Sequence, residues 1–277
     1  HTWNKHRLTS TAVYSWQDFT YEDINLSGSG FENDQTGAWS MGLADKSSVS
    51  WATNKYSNKL ISFTGRVSYV YDDKYLLTAT SRWDGSSRFG ANSKWGYFPS
   101  VAAGWTLSEE DFMKNINWLS NLKLRLSWGQ TGNADISTNA FASYGAQGSW
   151  INSEYKTISG VMKSRLENPD LKWETTTEWN LGLDFGFLKS RITGSVELYQ
   201  RVISDLLNYK PLNSYQEVKQ IMANVGKTQS RGVEITLNSR NIITNNFFWE
   251  TSLTYTKYED RWKERTPDWK PNVYEKE

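Results

Sequence analysis

Residues 59–84 read KLISFTGRVSYVYDDKYLLTATSRWD. In the first half, one parity holds Ile61, Phe63, Gly65, Val67, Tyr69 and Tyr71, and the other holds Ser62, Thr64, Arg66 and Ser68. Side chains alternate across a strand, so this run has one apolar face and one polar face. After Asp72, Asp73 and Lys74 the pattern restarts, with Tyr75, Leu77, Ala79 and Trp83 set against Thr78, Thr80 and Arg82. Two such runs around a tight polar break predict an antiparallel hairpin.

Working outward, the same alternation predicts strands over 5–16, 97–107, 122–130, 173–186, 191–203, 231–240 and 247–258, nine in all with the opening pair. The longest clean case is 173–186, where Trp173, Thr175, Thr177, Trp179, Leu181, Leu183 and Phe185 oppose Glu174, Thr176, Glu178, Asn180 and Asp184. Each strand is about the ~9–11 residues that cross a bilayer at a tilt. Alternation alone does not say what covers the apolar face. In a sandwich it is a second sheet, whereas in a membrane barrel it is lipid and the polar face lines a wet lumen.

The connections separate these cases. Gaps 17–58, 85–96, 131–172 and 204–230 are long, and gaps 72–74, 187–190 and 241–246 are short, with 108–121 intermediate. Long and short gaps alternate, so an up-and-down meander puts the long loops on one rim and the turns on the other, the layout of an outer-membrane barrel. A sandwich has no physical reason to sort its loops in this way. Nine strands would leave the two termini at opposite rims and two unpaired edges, which lipid does not tolerate. The chain therefore reads as a contiguous part of a larger barrel, all of 1–277 belonging to it. Ser108 and Asp111 in the intermediate gap suggest a capping box, so a short helix is expected there.

Composition supports a boundary environment. The 277 residues include 15 Trp, 15 Tyr and 11 Phe, yet only 38% are hydrophobic. Trp and Tyr favour the junction of apolar and wet surroundings. With 31 Lys+Arg against 30 Asp+Glu, the electrostatic case for nucleic acid is absent. There is no Cys, and the two His are His1 and His6, which excludes disulfides, thiolate sites and multi-His zinc chemistry. No enzyme activity, metal or cofactor is expected. No apolar run nears the ~18 residues of a spanning helix.

Several stretches resemble the SusC/RagA family of TonB-dependent outer-membrane transporters: SFTGRVSYVYDDKYLLTATSRWDGSSRFG (62–90), KWGYFPSVAAGWTLSEEDFMK (94–114), LKLRLSWGQTGN (122–133), NPDLKWETTTEWNLGLDFGFLKSRITGSVELY (168–199) and NVGKTQSRGVEITL (224–237). The resemblance implies a barrel of about 22 strands, of which this chain would be C-terminal wall, the plug domain and TonB box lying elsewhere. It further implies energised import of oligosaccharide or peptide through the outer membrane, under a SusD-like surface lipoprotein and driven by the TonB complex. A soluble carbohydrate-binding β-sheet protein and a passive barrel or receptor are the competing readings. The segments before residue 59 and within 133–166 carry no family motif, and such loops vary with substrate in this family.

Two residue sets follow from the parity. Arg66, Arg82, Lys123, Arg125, Glu174, Glu178, Asp184, Glu197 and Glu234 fall on the polar side. They either line the transport path or only pair across strands to keep the lumen wet. Glu174 and Glu178 do not make a glycosidase pair: four residues of strand put them ~13 Å apart, beyond the ~6.5–9.5 Å of an inverting pair. Trp39, Trp51, Tyr56, Tyr144, Trp150 and Tyr155 fall in predicted loops, where they contact substrate or lid or else pack the loops themselves. Trp83, Trp105, Trp128, Trp173, Trp179 and Trp249 fall on the lipid parity and are expected in aromatic girdles.

Overall fold

The computed structural model describes residues 1–33, 35, 37–135, 140–151 and 153–265. Their strands are β1 (Thr2–Trp3), β2 (His6–Ser27), β3 (Ser50–Tyr71), β4 (Tyr75–Ser86), β5 (Trp95–Thr106), β6 (Leu119–Asn133) and β7 (Ser143–Ile151). They continue with β8 (Thr157–Arg165), β9 (Glu174–Phe187), β10 (Ile192–Ser204), β11 (Leu207–Pro211), β12 (Gln220–Asn224), β13 (Lys227–Ile243) and β14 (Phe248–Glu264). One ten-stranded antiparallel sheet runs β1-β2-β3-β4-β5-β6-β9-β10-β13-β14. All nine predicted strands are in it, and the tenth is the two-residue β1. The pairs β7–β8 and β11–β12 form separate hairpins inside the long connections.

Turns sort as the alternation requires. On one rim β3 joins β4 through Asp72 and Asp73, both at positive φ, and β9 joins β10 through Leu188, Lys189 and Ser190, also at positive φ. Aspartate tolerates that left-handed conformation better than most residues, and paired positive φ values suit the twist of a hairpin. The long connections all leave from the opposite, outer rim.

Register shows how the apolar face is built. Tyr69, Leu77, Ala103, Leu126, Leu181, Leu198 and Val233 form one continuous cross-strand row. Its leucines are half-exposed: Leu77 by 50%, Leu126 by 47% and Leu198 by 50%. Left in water, each would forfeit about 1 kcal/mol at ~25 cal/mol per Å², so the row needs an apolar medium. Aromatic residues bound the band at a constant interval. Phe63 and Tyr71, Tyr75 and Trp83, Tyr97 and Trp105, and Trp179 and Phe187 are each eight residues apart on their strands. Eight residues are about 26 Å of strand, or about 20 Å of height at a ~40° tilt, close to the ~25 Å apolar band of membrane barrels. Tyr14, Phe63, Trp83 and Tyr97 make the outer girdle as one row, and Tyr71, Tyr75 and Trp105 make the inner one. The ladder satisfies the backbone within the band.

Three expectations are corrected. First, the strands β2 and β3 extend 22 residues each and pair from Ser27↔Ser50 downward, so the first outer loop is 28–49 rather than 17–58. Second, 108–121 is not an α-helix. A 3₁₀ turn at Leu107–Glu109 is followed by bonds donated by Met113 N to Glu110 O, Ile116 N to Met113 O and Leu119 N to Ile116 O. The reason is Glu110, which turns inward to accept from Tyr75 Oη at 2.6 Å, Trp105 Nε1 at 2.9 Å and Lys74 Nζ at 3.2 Å. The tyrosine bond first, then the tryptophan bond, hold this carboxyl below the usual carboxylate range.

Third, Trp173 is no girdle residue. It lies one position before β9, is 7% exposed, and packs on Phe89 and Phe98 with ring centroids at 4.7 and 5.4 Å. With Leu171, Ala140 and Met222 these form the hydrophobic cluster of the described residues, and it sits at the outer rim. Its indole Nε1 donates to Lys94 O at 3.1 Å, which ties the β4–β5 connection to the start of β9. Gly90 is needed for this knot, because a Cβ there would sit 2.1 Å from Pro169 O.

Candidate substrate path

The face opposite the apolar row is polar along its length and presents the predicted wall charges. Arg125 on β6 is the hub. Its Nε and Nη2 donate to the two Asp184 carboxylate oxygens at 2.8 Å each, and Nη2 also donates to Glu197 Oε1 at 2.8 Å. Glu197 further accepts from Asn180 Nδ2 at 3.1 Å. Arg125 faces Gly182, which faces Glu197, so the guanidinium crosses the intervening strand β9. Glycine leaves the guanidinium room where it stands, since a Cβ on residue 182 would lie 2.8 Å from Arg125 Nη2 and the side chain would have to shift. The forked geometry fixes the side chains in one arrangement, and each pair contributes at most about 1 kcal/mol in so wet a wall.

The other predicted charges divide. Arg82 Nε donates to both Asp84 oxygens, at 2.7 and 3.0 Å, beside Ser62 Oγ at 3.3 Å. Glu178 accepts from Arg201 Nε at 2.7 Å. Glu174 stands at the rim, where it accepts from Asn133 Nδ2 and from the Leu207 backbone N–H, both at 3.1 Å. Glu234 lies directly opposite Glu197 in register. Arg66, Lys123 and Glu234 form no ion pair among the described residues.

The six predicted loop aromatics do not form one group. Trp39 is at the tip of the β2–β3 hairpin and 97% exposed. Trp51 and Tyr56 are strand rather than loop residues, and five positions of β3 put them on opposite faces. Trp51 opposes Leu26 on the continuation of the lipid-side face, above the girdle. Tyr56 opposes Tyr21 on the continuation of the lumen-side face, with Tyr21 stacked at 5.0 Å and Phe19 at 6.1 Å. Tyr144 on β7 is exposed with Lys163 Nζ 5.9 Å from its ring centroid, and Tyr155 is exposed at the β7–β8 turn. Trp150 is on β7 opposite Ile158, and its side chain lies outside the described residues.

Sequence reasoning missed the lumen-side aromatics Phe19, Tyr21, Tyr199, Tyr258 and Trp262. The signal was available for Tyr199, which shares parity with Glu197 and Arg201. Among the described residues no group of three His, Cys, Asp or Glu side chains could hold a metal ion.

A meander with an aromatic-bounded apolar band outside and a charged, hydrogen-bonded face inside is a segment of a transmembrane β-barrel wall. The family model for the TonB-dependent receptor-like β-barrel matches residues 1–275, and the chain belongs to that family. It is 42% identical over 206 residues to the TonB-dependent receptor SusC of Bacteroides thetaiotaomicron, covering 72% of this chain and 20% of that protein. It is 35% identical over 257 residues to the TonB-dependent receptor P39 of Formosa agariphila, covering 93% and 24%. The structure of the RagAB peptide transporter matches with a TM-score of 0.82 at 26% identity, covering 94% of this chain and 28% of that one. The chain thus spans a fifth to a quarter of the curated relatives' length. Receptors of this family reside in the outer membrane, so the covering of the apolar face is outer-membrane lipid, and the family is one of transporters, not enzymes.

Proposed function

We propose that the whole protein is an energised importer of a large nutrient, an oligosaccharide or peptide, and that this chain supplies barrel wall and outer loops. What carries the reading is the match of residues 1–275 to the TonB-dependent receptor-like barrel, with a lumen face on which Arg125 is held by Asp184 and Glu197. The relatives named as TonB-dependent receptors support energisation by the TonB complex through a plug domain and TonB box carried elsewhere in the protein. The likeness to the RagAB peptide transporter supports peptide as one class of cargo, and the partner over the outer mouth in this reading is a SusD-like surface lipoprotein. The projecting top of β2–β3, with Tyr21 and Tyr56 turned to the lumen side, stands where such a lid or its cargo would rest.

The test is nutrient uptake by cells with and without the energising complex. Loss of uptake on deleting that complex is expected. Uptake that persists unchanged would identify a passive barrel instead.

A further inference from the structure

Cross-strand rows climb across this wall, because a ~40° strand tilt lifts each row by about 3 Å per strand at the ~4.8 Å spacing. The row through the inner-girdle residues Tyr71, Tyr75 and Trp105 continues by Leu183 on β9 and Ile235 on β13 to Tyr255 on β14. Seven such steps from β3 to β14 raise it by about 20 Å, so Tyr255 is the outer-girdle residue of β14. Phe247, eight positions earlier, keeps the girdle interval found on the other strands.

The outward-facing residues of β14 beyond Tyr255 are Lys257, Glu259, Arg261 and Lys263, alternating with the lumen-side Tyr258, Asp260 and Trp262. They stand above the apolar band, at the depth of lipid headgroups. Arg231 of β13 lies opposite Glu259, and Lys257 lies one residue pair lower, opposite Val233. Arg231, Gln229, Glu259, Arg261 and Lys263 line a cleft of about 80 Å³ on this face. Glu259 is spent within its own strand, accepting from Arg261 Nε at 2.9 Å. Arg231, Lys257 and Lys263 are exposed and have no ion pair among the described residues. Three positive charges are therefore left over.

The same depth on β2 and β3 is neutral. Above Tyr14 on the outward face, Asp18 pairs with Lys59 at 3.1 Å and Glu22 pairs with Lys55, one to one. Between these two regions the outward positions above the girdle are uncharged, as at Gly85, Trp95, Gln130, Thr177 and Gln200. The surplus of cations is thus local to β13 and β14.

We propose that this outward patch holds the phosphates of a phosphorylated glycolipid in the outer leaflet. The patch continues the lipid-covered face without a break, so a headgroup is what lies against it, and clustered cations without partners call for an anion. The planar fork of Arg231 suits two phosphate oxygens at once, and Lys257 and Lys263 add point charges below and above it. The inference rests on the membrane face of the chain and is independent of what the protein imports.

The experiment reads lipid binding to the full-length protein in detergent by native mass spectrometry, with phosphorylated lipid A, the same lipid A stripped of its phosphates, and inorganic phosphate as probes. Retained heat-modifiable mobility on gels shows that each variant is a folded barrel. Phosphorylated lipid A is expected to bind at least about tenfold more tightly than the stripped form. Arg231→Gln combined with Lys257→Gln should remove that preference. Lys55→Gln combined with Lys59→Gln takes as many charges from the paired stripe on β3 and should leave the preference intact. The site is overturned if the two lipids bind alike, if the Arg231 and Lys257 changes leave the preference standing, or if the β3 changes abolish it equally. Displacement of the lipid by an equal concentration of inorganic phosphate would assign the patch to a free anion and overturn it as well.

Discussion

The wall between Phe63 and Tyr71 and the knot around Trp173 use the same residue types in opposite ways. In the wall, large apolar side chains stand half-exposed on one face and are covered by lipid, while hydrogen-bonded strands and fixed ion pairs hold the other side. At the outer rim the aromatics turn inward, and Phe89, Phe98, Leu171 and Trp173 make a small protein core that ties connections together. The difference is one of solvent. A strand in lipid has no hydrophobic drive toward its neighbours, so its stability comes from the ladder and the medium. Loops in water must bury apolar surface against each other or stay open.

That contrast can be broken at either end. The largest effect is expected from Trp173→Ala, which removes a buried indole and should cost the rim about 3–5 kcal/mol. Limited proteolysis should then cut the outer connections while the barrel keeps its heat-modifiable mobility. Loss of both together would mean that rim and wall fold as one unit.

Leu183→Arg comes next. Leu183 lies midway between Trp179 and Phe187 on the lipid side, so a charge there should cost about 2–4 kcal/mol in a bilayer. Asn180→Arg, on the lumen side, should be far better tolerated when assembly into vesicles is scored. Equal damage from the two would contradict the assigned faces.

A smaller effect, about 1 kcal/mol or less, is expected from Gly182→Ala, which displaces the Arg125 guanidinium from Glu197. It should lower the urea midpoint of unfolding, and combining it with Glu197→Gln should add little, since both remove the same bond. Full additivity would show that residue 182 acts elsewhere.

The smallest concerns the inner turn. The Glu110 carboxyl is held low by Tyr75 and Trp105, so its stabilisation is present above the ordinary carboxylate range near ~4.3 and fades as pH falls through its lowered value. Glu110→Gln should therefore reduce the thermal midpoint at neutral pH and make little difference in acid. A deficit that persists unchanged at low pH would assign the loss to packing.

How much was legible follows the same divide. All nine long strands could be read because lipid on one side and water on the other force strict alternation, as in 173–186. The outer third of β2 could not be, since Asp18, Glu22 and Asp23 enter the pattern where the strand leaves the membrane. There both faces meet water, and ion pairs of Asp18 with Lys59 and Glu22 with Lys55 replace apolar contacts. Trp173 was misplaced because parity extends a face by one residue past the point where the chain bends into the rim. The 108–121 segment failed as a helix because Glu110 found partners at Lys74 and Tyr75, far away in sequence, besides the nearby Trp105. For the lumen, parity identified the charged residues but not their pairing, because Arg125 reaches Glu197 only through the register across Gly182.

The direct measurement is a nitroxide scan of β9 in the full-length protein reconstituted in lipid vesicles, aided by the absence of native cysteine from this chain. Labels at 179, 181, 183 and 185 are expected to meet dissolved oxygen more readily than a water-soluble nickel chelate, with the reverse at 180 and 184. Labels at the odd positions shielded from both reagents would place that face against protein instead of hydrocarbon and contradict the barrel wall described above.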